Sequence, residues 1–357
     1  MQRPVLIAVR GLDAVGTGRQ VELLATGLAA AGRHVHVAIT TTGGSMADRL
    51  AAAGIAVHRV GRRPVPDLAT LVGLAGLVRH VGATTLVAFG RRQVGLAAAV
   101  RLVMPRLRTV ASVSRPVSRR VAWRLARMDR LVAASPQAAE SCARLGLPAS
   151  RIATVLPGSA ALPARGTDRE AIARHYGLDP RAEWTLCVAP LVAESRLERL
   201  LWGIDQLGVV RTGVEHLLVG SGPMLARVGR RARVQELAER LFVTESCAEL
   251  PSLLDEVKLV WQPGPAAFGG AILDAMARGV PVVAVEGAAP PGMIESPTSG
   301  WVVPSLPESE LPRRAFNLLE DAELARRTGE AGRTRAAERF PAGPMVAGFA
   351  AVLDSLA

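Results

Sequence analysis

The segment that decides the fold is residues 265–284, which read PAAFGGAILDAMARGVPVVA. Two glycines, Gly269 and Gly270, open a run of helix-forming residues, and Gly279 ends it. Pro281 and a β-branched run follow at once. A helix that leads directly into a buried strand is half of a βαβ unit, so this segment predicts a parallel sheet covered by helices.

The same alternation of strand and helix fills the rest of the 357 residues, with one interruption at the proline- and glycine-rich segment Leu156–Gly166. We therefore predict an α/β protein with two Rossmann-like domains facing across a cleft, and a ligand near the carboxyl ends of their strands. The expected domains are residues 1–160, residues 161–340 and a final helix at 341–357 that returns to the first domain.

The predicted secondary structure follows from short β-branched runs and longer amphipathic ones. The predicted strands are Val5–Val9, His34–Ile39, Ile55–Val60, Thr85–Ala88, Thr109–Val113, Arg130–Ala134, Trp184–Val188, His216–Val219, Leu259–Gln262, Val280–Val285 and Trp301–Val303. The predicted helices are Gln20–Ala30, Met46–Ala52, Leu68–Val78, Gln137–Leu145, Leu197–Leu207, Met224–Leu241, Gly270–Arg278, Glu308–Glu320, Ala322–Phe340 and Met345–Leu356.

Charge is divided unevenly along the chain. Residues 1–150 hold 21 arginines and 6 acids, whereas the remainder holds 22 basic and 25 acidic residues. A basic half indicates anionic partners or a solvated basic surface. Within it, Arg119–Arg130 has the pattern of a basic amphipathic helix, which either packs on the sheet or contacts a membrane peripherally. No zinc spacing or aromatic-interleaved basic motif is present, so nucleic acid is not an expected partner.

Cysteines and histidines predict no metal site. Cys142, Cys187 and Cys247 are scattered and fit reduced thiols, and the six histidines share no ligand spacing. Val5–Val9 is too short for a signal peptide and no apolar run reaches about 18 residues. The expected location is cytoplasmic, with a peripheral position on the inner membrane face as the alternative.

Three glycine-containing turns are candidate ligand sites, because each lies between a predicted strand and a helix N-terminus. The first is the cleft loop Gly16, Thr17 and Gly18, for which a simple tight turn is an equal alternative. The second is the turn Gly220, Ser221 and Gly222, for which a structural turn is again the alternative. The strongest is Phe268, Gly269 and Gly270, followed one helical turn later by Asp274.

This last segment resembles the signature E-G-F-G-x-x-x-x-E-A-M-A-x-G-x-P-V-V-A of glycosyltransferase family 4. Neighbouring segments also resemble that family. They are the turn before Pro223, the L-P-x-L-L stretch at Glu249–Leu254, the T-G-x-L-V-P stretch at Ser299–Pro304, the closing Gly329–Phe340, and Gly16–Val37 in the first half. The resemblance implies a GT-B fold and a retaining, metal-independent transferase without a resident cofactor. Its substrate is a UDP- or GDP-linked sugar, and its acceptor is a glycan, a lipid or a small molecule.

The donor motif departs from the family pattern. The position of the sugar-contacting glutamate is Ala266, and that of the ribose-contacting glutamate is Asp274. The family's G-R-L-x-x-x-K-G falls on 189–196, so Pro190 and Ser195 stand where the resemblance places the diphosphate-binding cations. Arg196 or Arg199 is the expected substitute, and Arg115 lies where relatives often have a sugar-contacting histidine nearby.

The leading hypothesis is thus a glycosyltransferase whose catalytic residues the sequence does not name. The rival hypothesis is a catalytically degenerate GT-B protein that serves as a nucleotide-binding or scaffold subunit in glycan assembly. A sugar-nucleotide epimerase that releases free UDP is the third.

Overall fold

The computed structural model describes residues 4–12, 16–41, 47–61, 67–160, 166, 168–245 and 250–356. The chain forms two compact units: unit 1 is Met1–Gly158 with Phe340–Ala357, and unit 2 is Ser159–Arg339. Some residues that the sequence analysis used lie outside the described residues. They are Met46 at the start of a predicted helix, the thiol Cys247, Glu249 of the L-P-x-L-L stretch, and residues 161–165 of the predicted linker.

Unit 1 is built on a seven-stranded sheet in the order β3-β2-β1-β4-β5-β6-β7, with every pair parallel. The strands are β1 (Val5–Val9), β2 (Val35–Ile39), β3 (Ala56–Arg59), β4 (Thr85–Phe89), β5 (Arg108–Val113), β6 (Arg130–Ala133) and β7 (Ile152–Thr154). The strand order reverses between β1 and β4. The strands β2 and β3 extend the sheet on one side of β1, and β4 to β7 extend it on the other side.

Helices connect these strands, as parallel pairing requires. They are α1 (Thr17–Ala30), α2 (Ala47–Ala52), α3 (Leu68–His80), α4 (Arg91–Val103), α5 (Arg119–Leu125) and α6 (Pro136–Arg144). The last helix of the chain, here called α14 (Ala342–Asp354), also belongs to unit 1. It packs on α1, where a β-carbon on Gly27 would overlap Val346, and Phe349 stacks on Phe89.

Unit 2 repeats this architecture with six parallel strands in the order β10-β9-β8-β11-β12-β13. The strands are β8 (Glu183–Val188), β9 (Val214–Val219), β10 (Leu241–Thr244), β11 (Val257–Gln262), β12 (Val282–Val285) and β13 (Trp301–Val303). The helices are α7 (Arg169–Tyr176), α8 (Leu197–Val210), α9 (Leu225–Val234), α10 (Leu250–Glu256), α11 (Gly270–Ala277), α12 (Glu310–Glu320) and α13 (Ala322–Arg339).

The predicted helix Met224–Leu241 is wrong over its second half. The helix ends at Val234, and Glu236 adopts a left-handed φ of 54° that breaks it. Leu241 then begins β10, which pairs with β9. Helix-forming residues continue through this stretch, but burial of Leu237 and the free edge of β9 decide the local structure.

A buried polar network crosses the core of unit 2. The Trp261 indole donates to the Thr185 hydroxyl at 2.8 Å, and that hydroxyl bonds to His216 Nδ1 at 2.6 Å. Burial, with the Arg240 guanidinium as a smaller cause, lowers the pKa of His216 to about 3. His216 is therefore a neutral histidine in the core of unit 2. Burial likewise raises the pKa of the Cys187 thiol to about 12, so Cys187 is an inert core thiol.

Two glycines of α13 let it approach α11 closely. A β-carbon on Gly329 would overlap the Gly279 carbonyl oxygen, and one on Gly332 would lie 3.2 Å from the Ser299 carbonyl oxygen and 3.6 Å from Met276 Cγ. Seven of the eight residues of α11 are buried. The packing of α13 therefore fixes where α11 lies against the sheet.

Substitution of Gly329 tests this packing. Gly329→Ala should lower the free energy of unfolding by about 1–3 kcal/mol, because the methyl group must push α13 away from α11. Gly229→Ala in α9 is the matched control, since nothing lies within 4 Å of its β-carbon. It should raise stability by about 0.5–1 kcal/mol. Urea unfolding measures both, and equal effects would contradict the close approach.

Candidate functional site

Three loops meet at the carboxyl edge of the sheet in unit 2, after the neighbouring strands β9, β8 and β11. The Gly220–Gly222 turn lies against the loop after β8, where β-carbons on the two glycines would overlap the carbonyl oxygens of Ala189 and Leu191. The Leu191 amide donates to the Ser221 carbonyl at 2.9 Å, so backbone bonds join the loops. Both glycines are therefore required by a close backbone approach, whether or not a ligand binds there.

The loop after β8 also explains Ser195. Its hydroxyl donates to the Pro190 carbonyl at 2.5 Å. Its own carbonyl oxygen lies so close to Gly264 that a β-carbon on Gly264 would overlap it. Ser195 is 4% exposed. Pro190 and Ser195, where the resemblance places cations, are thus hydrogen-bonded to each other within one turn. Neither side chain carries a positive charge.

Arg196, the next residue, has a left-handed backbone with φ 50° and ψ 44°. It stands where the family motif has its second glycine, and only one other described non-glycine residue, Glu236, has a positive φ. Left-handed conformations are costly for residues that carry a β-carbon. Arg196 is exposed and Arg199 is half-buried, and neither forms a salt bridge within the described ranges.

The N-terminus of α11 opens on the same edge, after β11. Gly269 precedes the helix with φ 65°, and a β-carbon there would overlap the Met293 side chain. The N-cap residue is a glycine, so it has no side chain to cap this end of the helix. The first backbone N–H groups of a helix lack intrahelical partners and carry partial positive charge, so this end suits an anion.

The side chains around that helix end are mostly buried. Phe268 is 5% exposed and Asp274, in the second turn of α11, is 2% exposed. The structure therefore leaves almost none of the Asp274 side chain accessible to solvent. Ala266 is half-buried, and its amide donates to the Ala288 carbonyl at 2.8 Å.

The remaining predicted site residues lie in unit 1. Gly16 precedes α1 with φ 62°, and Thr17 and Gly18 form its first turn, with no side-chain cap. They follow β1, and the exposed Arg115 follows β5, so all four lie at the carboxyl edge of that sheet. The structure therefore groups the predicted residues at two strand edges, one in each unit.

A buried ion cluster beside Gly16 was not predicted. Glu22 accepts from Arg19 at 2.5 Å and from Arg49 at 2.7 Å, and the Arg19 and Glu22 side chains are 5% and 7% exposed. Gln93 of α4, 2% exposed, donates to the Thr40 hydroxyl at 2.8 Å. The pair between Glu22 and Arg49 joins α1 to α2.

Histidines of unit 1 also pair in a way that their spacing did not predict. His36 Nδ1 lies 3.1 Å from His58 Nε2 across adjacent strands. Burial and the neighbouring His58 lower the pKa of His36, and burial lowers that of His58. Over the residues that the structure describes, no group of three or more histidine, cysteine or acidic side chains is placed to hold a metal ion.

Known proteins resemble both the sequence and the fold. Residues 183–321 match the family described as glycosyl transferases group 1. The crystal structure of HepE from Anabaena in complex with UDP-glucose superposes with a TM-score of 0.82 at 16% identity, covering 99% of each chain. The chain has the GT-B fold. The two-domain α/β architecture that the sequence predicted is therefore confirmed.

Two curated relatives match more locally. N-acetyl-α-D-glucosaminyl L-malate synthase of Bacillus anthracis is 23% identical over 48% of this chain and 45% of its own length. D-inositol 3-phosphate glycosyltransferase of Streptomyces bingchenggensis is 28% identical over 59% of this chain and 50% of its own length. The match thus spans about half the length of each relative. No helix among the described residues is long and apolar enough to cross a membrane.

The left-handed backbone at Arg196 makes a stability prediction. Arg196→Gly should raise the free energy of unfolding by up to about 1 kcal/mol, because glycine adopts this conformation without strain. Glu236→Gly, at the other positive φ, should do the same. Thermal and urea unfolding measure both changes. A loss of stability in Arg196→Gly alone would show that its side chain, not its backbone, dominates.

Proposed function

We propose that the chain is a glycosyltransferase that moves a sugar, with retention, from a UDP- or GDP-linked donor to an acceptor. The observation that carries the proposal is the N-terminus of α11, which follows Gly269 at the carboxyl edge of β11 within the segment that matches glycosyl transferases group 1. One curated relative is named a glycosyltransferase, the other a synthase of a glucosaminyl malate, and HepE was crystallised with UDP-glucose.

The proposed donor site uses mostly backbone groups. The amides at Phe268–Gly270 and the first turn of α11 receive the diphosphate, and Gly220–Gly222 supports the nucleotide. Asp274 accepts hydrogen bonds from the ribose. Arg196 or Arg199 supplies the positive charge that Pro190 and Ser195 do not. As the bond to the sugar breaks, these groups stabilise the leaving diphosphate, and one such donor contributes about 3 kcal/mol.

A catalytically degenerate, nucleotide-binding subunit is the rival proposal. The hydrogen bond between Ser195 and Pro190 favours this rival. The two positions where the family has cations bond to each other, so neither supplies a positive charge to a ligand. Ala266 adds to this, since a methyl group accepts no hydrogen bond from a sugar. The guanidinium groups of Arg196 and Arg199, which form no salt bridge with another described residue, favour the active enzyme instead. An epimerase would release UDP from a UDP-N-acetylhexosamine without an acceptor.

Calorimetric titration with UDP, GDP and their sugar conjugates tests the donor site. One nucleotide should bind, and Asp274→Asn should weaken it roughly tenfold to a hundredfold, as expected for a hydrogen bond to a charged group. Asp205→Asn in α8 is the control and should bind normally. Failure of every nucleotide to bind would refute the donor site. Binding without release of nucleoside diphosphate from any conjugate would favour the rival.

Unit 1 offers a basic site for the acceptor. Arg10, Arg91 and Arg115 follow the adjacent strands β1, β4 and β5, and all three are exposed. Arg91 and Arg92 form the first turn of α4, whose N-cap residue Gly90 provides no side-chain cap. Positive charge at a helix N-terminus is unfavourable unless an anion balances it. The names of both curated relatives include anionic acceptors, L-malate and inositol 3-phosphate. We propose an anionic acceptor here.

Acceptor competition tests this assignment. With the donor that binds, L-malate or inositol 3-phosphate should stimulate release of nucleoside diphosphate, whereas uncharged inositol should not. Arg91→Gln with Arg92→Gln should raise KM for the anionic acceptor at least about tenfold. Arg79→Gln, in the last turn of α3, is the matched control and should leave KM unchanged. Equal use of charged and uncharged acceptors would contradict the proposal.

A further inference from the structure

Four of the six histidines in the chain gather at one edge of the unit 1 sheet. His36 lies in β2 and His58 lies in β3, the edge strand that pairs with β2. His34 directly precedes β2, and His80 is the last residue of α3. Strand pairing and the return of the helix, rather than spacing along the chain, bring these side chains together.

The strand register places two of the histidines on one face of the sheet. His58 is paired with Ala38, and His36 precedes Ala38 by two residues on the same strand. Side chains two residues apart on a strand share a face, so the two imidazole rings are diagonal neighbours. Ala38 belongs to the hydrophobic core that also contains Leu74 and Leu77. The histidine pair therefore lies on the face that α3 covers.

The course of α3 brings His80 to the same place. A β-carbon on Gly73 would lie 3.6 Å from that of Val60, so the middle of α3 packs just beyond the end of β3. The helix then returns antiparallel to the strands that it connects. Between Gly73 and His80 it advances about 10 Å, which equals about three residues of a strand. The last turn of α3 therefore lies close to the level of His58.

The two inner rings have the spacing of metal ligands. His36 Nδ1 lies 3.1 Å from His58 Nε2, and the ring centroids are 5.3 Å apart. Two nitrogens bound to one tetrahedral Zn²⁺ at about 2.0–2.1 Å are about 3.3 Å from each other. A hydrogen bond between the rings and a shared metal ion thus require nearly the same separation.

Both rings are also in the protonation state that a metal requires. Burial lowers the pKa of His36 and of His58, and the charges of neighbouring histidines lower it further. In the hydrogen bond between neutral rings, one of the two facing nitrogens carries the proton. A change of tautomer in that one ring moves the proton to its other nitrogen. Both facing nitrogens then present lone pairs, with no net loss of a proton.

We propose that His36, His58 and His80 bind one divalent transition-metal ion, such as Zn²⁺, at this edge of unit 1. Imidazole nitrogen suits zinc, nickel and copper. Among the described residues, no third histidine, cysteine or acidic side chain is yet in position beside the pair. His80 is exposed, so its ring completes the site by turning toward the pair.

The metal would connect β2, β3 and the end of α3. His36 is the second residue of β2, so the cluster lies toward the amino ends of the strands, away from the carboxyl edge where the acceptor site is proposed. The ion therefore stabilises the edge of the sheet, and this role does not depend on sugar transfer.

Calorimetric titration of the full, tag-free chain with ZnCl₂ tests the site. One Zn²⁺ per chain should bind, and the metal should raise the midpoint of thermal unfolding, because it binds the folded state. Mg²⁺ should not bind, since it prefers oxygen ligands. His36→Gln, and separately His58→Gln, should weaken Zn²⁺ binding at least about tenfold, the loss that removal of even an outer hydrogen-bond partner of a ligand causes.

His80→Gln tests the third ligand without disturbing the core, because His80 is exposed. It should also weaken Zn²⁺ binding at least about tenfold. His175→Gln, at an exposed position in α7 of unit 2, is the matched control and should bind Zn²⁺ normally. Circular dichroism without metal should show that each variant is folded. The absence of saturable Zn²⁺ binding, unchanged affinity in His80→Gln, or an equal loss in the control would overturn the proposal.

Discussion

The position of α11 is the constraint on which the proposed donor site depends. Its first backbone N–H groups follow the N-cap glycine Gly269 at the carboxyl edge of the unit 2 sheet. It stays there because Gly329 and Gly332 let α13 pack directly on its other end. Gly269, at φ 65° against Met293, then fixes how the chain enters the helix.

Much of this organisation could be predicted from the sequence, because local patterns and burial agree there. Trp301–Val303 is a strand with the predicted bounds, and the glycines that flank α11 mark its ends. Tertiary contacts decide the rest. Leu237 and the open edge of β9 override helix propensity after Val234, and no local pattern shows that Ser195 bonds to Pro190. The left-handed Arg196 is likewise invisible to propensity, since only alignment with a glycine position indicates it.

The two units divide the electrostatics between them. Unit 2 has the N-terminus of α11 at its strand edge and two arginines, Arg196 and Arg199, at the start of α8, an arrangement that suits the diphosphate of a nucleotide. Unit 1 presents guanidinium groups after β1, β4 and β5, and a second basic area around Trp123. The buried cluster of Arg19, Glu22 and Arg49 is internally compensated in part and stabilises the start of α1.

The central claim is that the N-terminus of α11 binds a nucleoside diphosphate. A crystal structure of the protein grown with UDP or GDP, whichever binds, tests it most directly. The account predicts the diphosphate at the amides of Gly270 and Ala271, with the ribose hydroxyls on the Asp274 carboxylate and Arg196 or Arg199 turned toward a phosphate. A nucleotide bound elsewhere, with the end of α11 empty, would contradict the account.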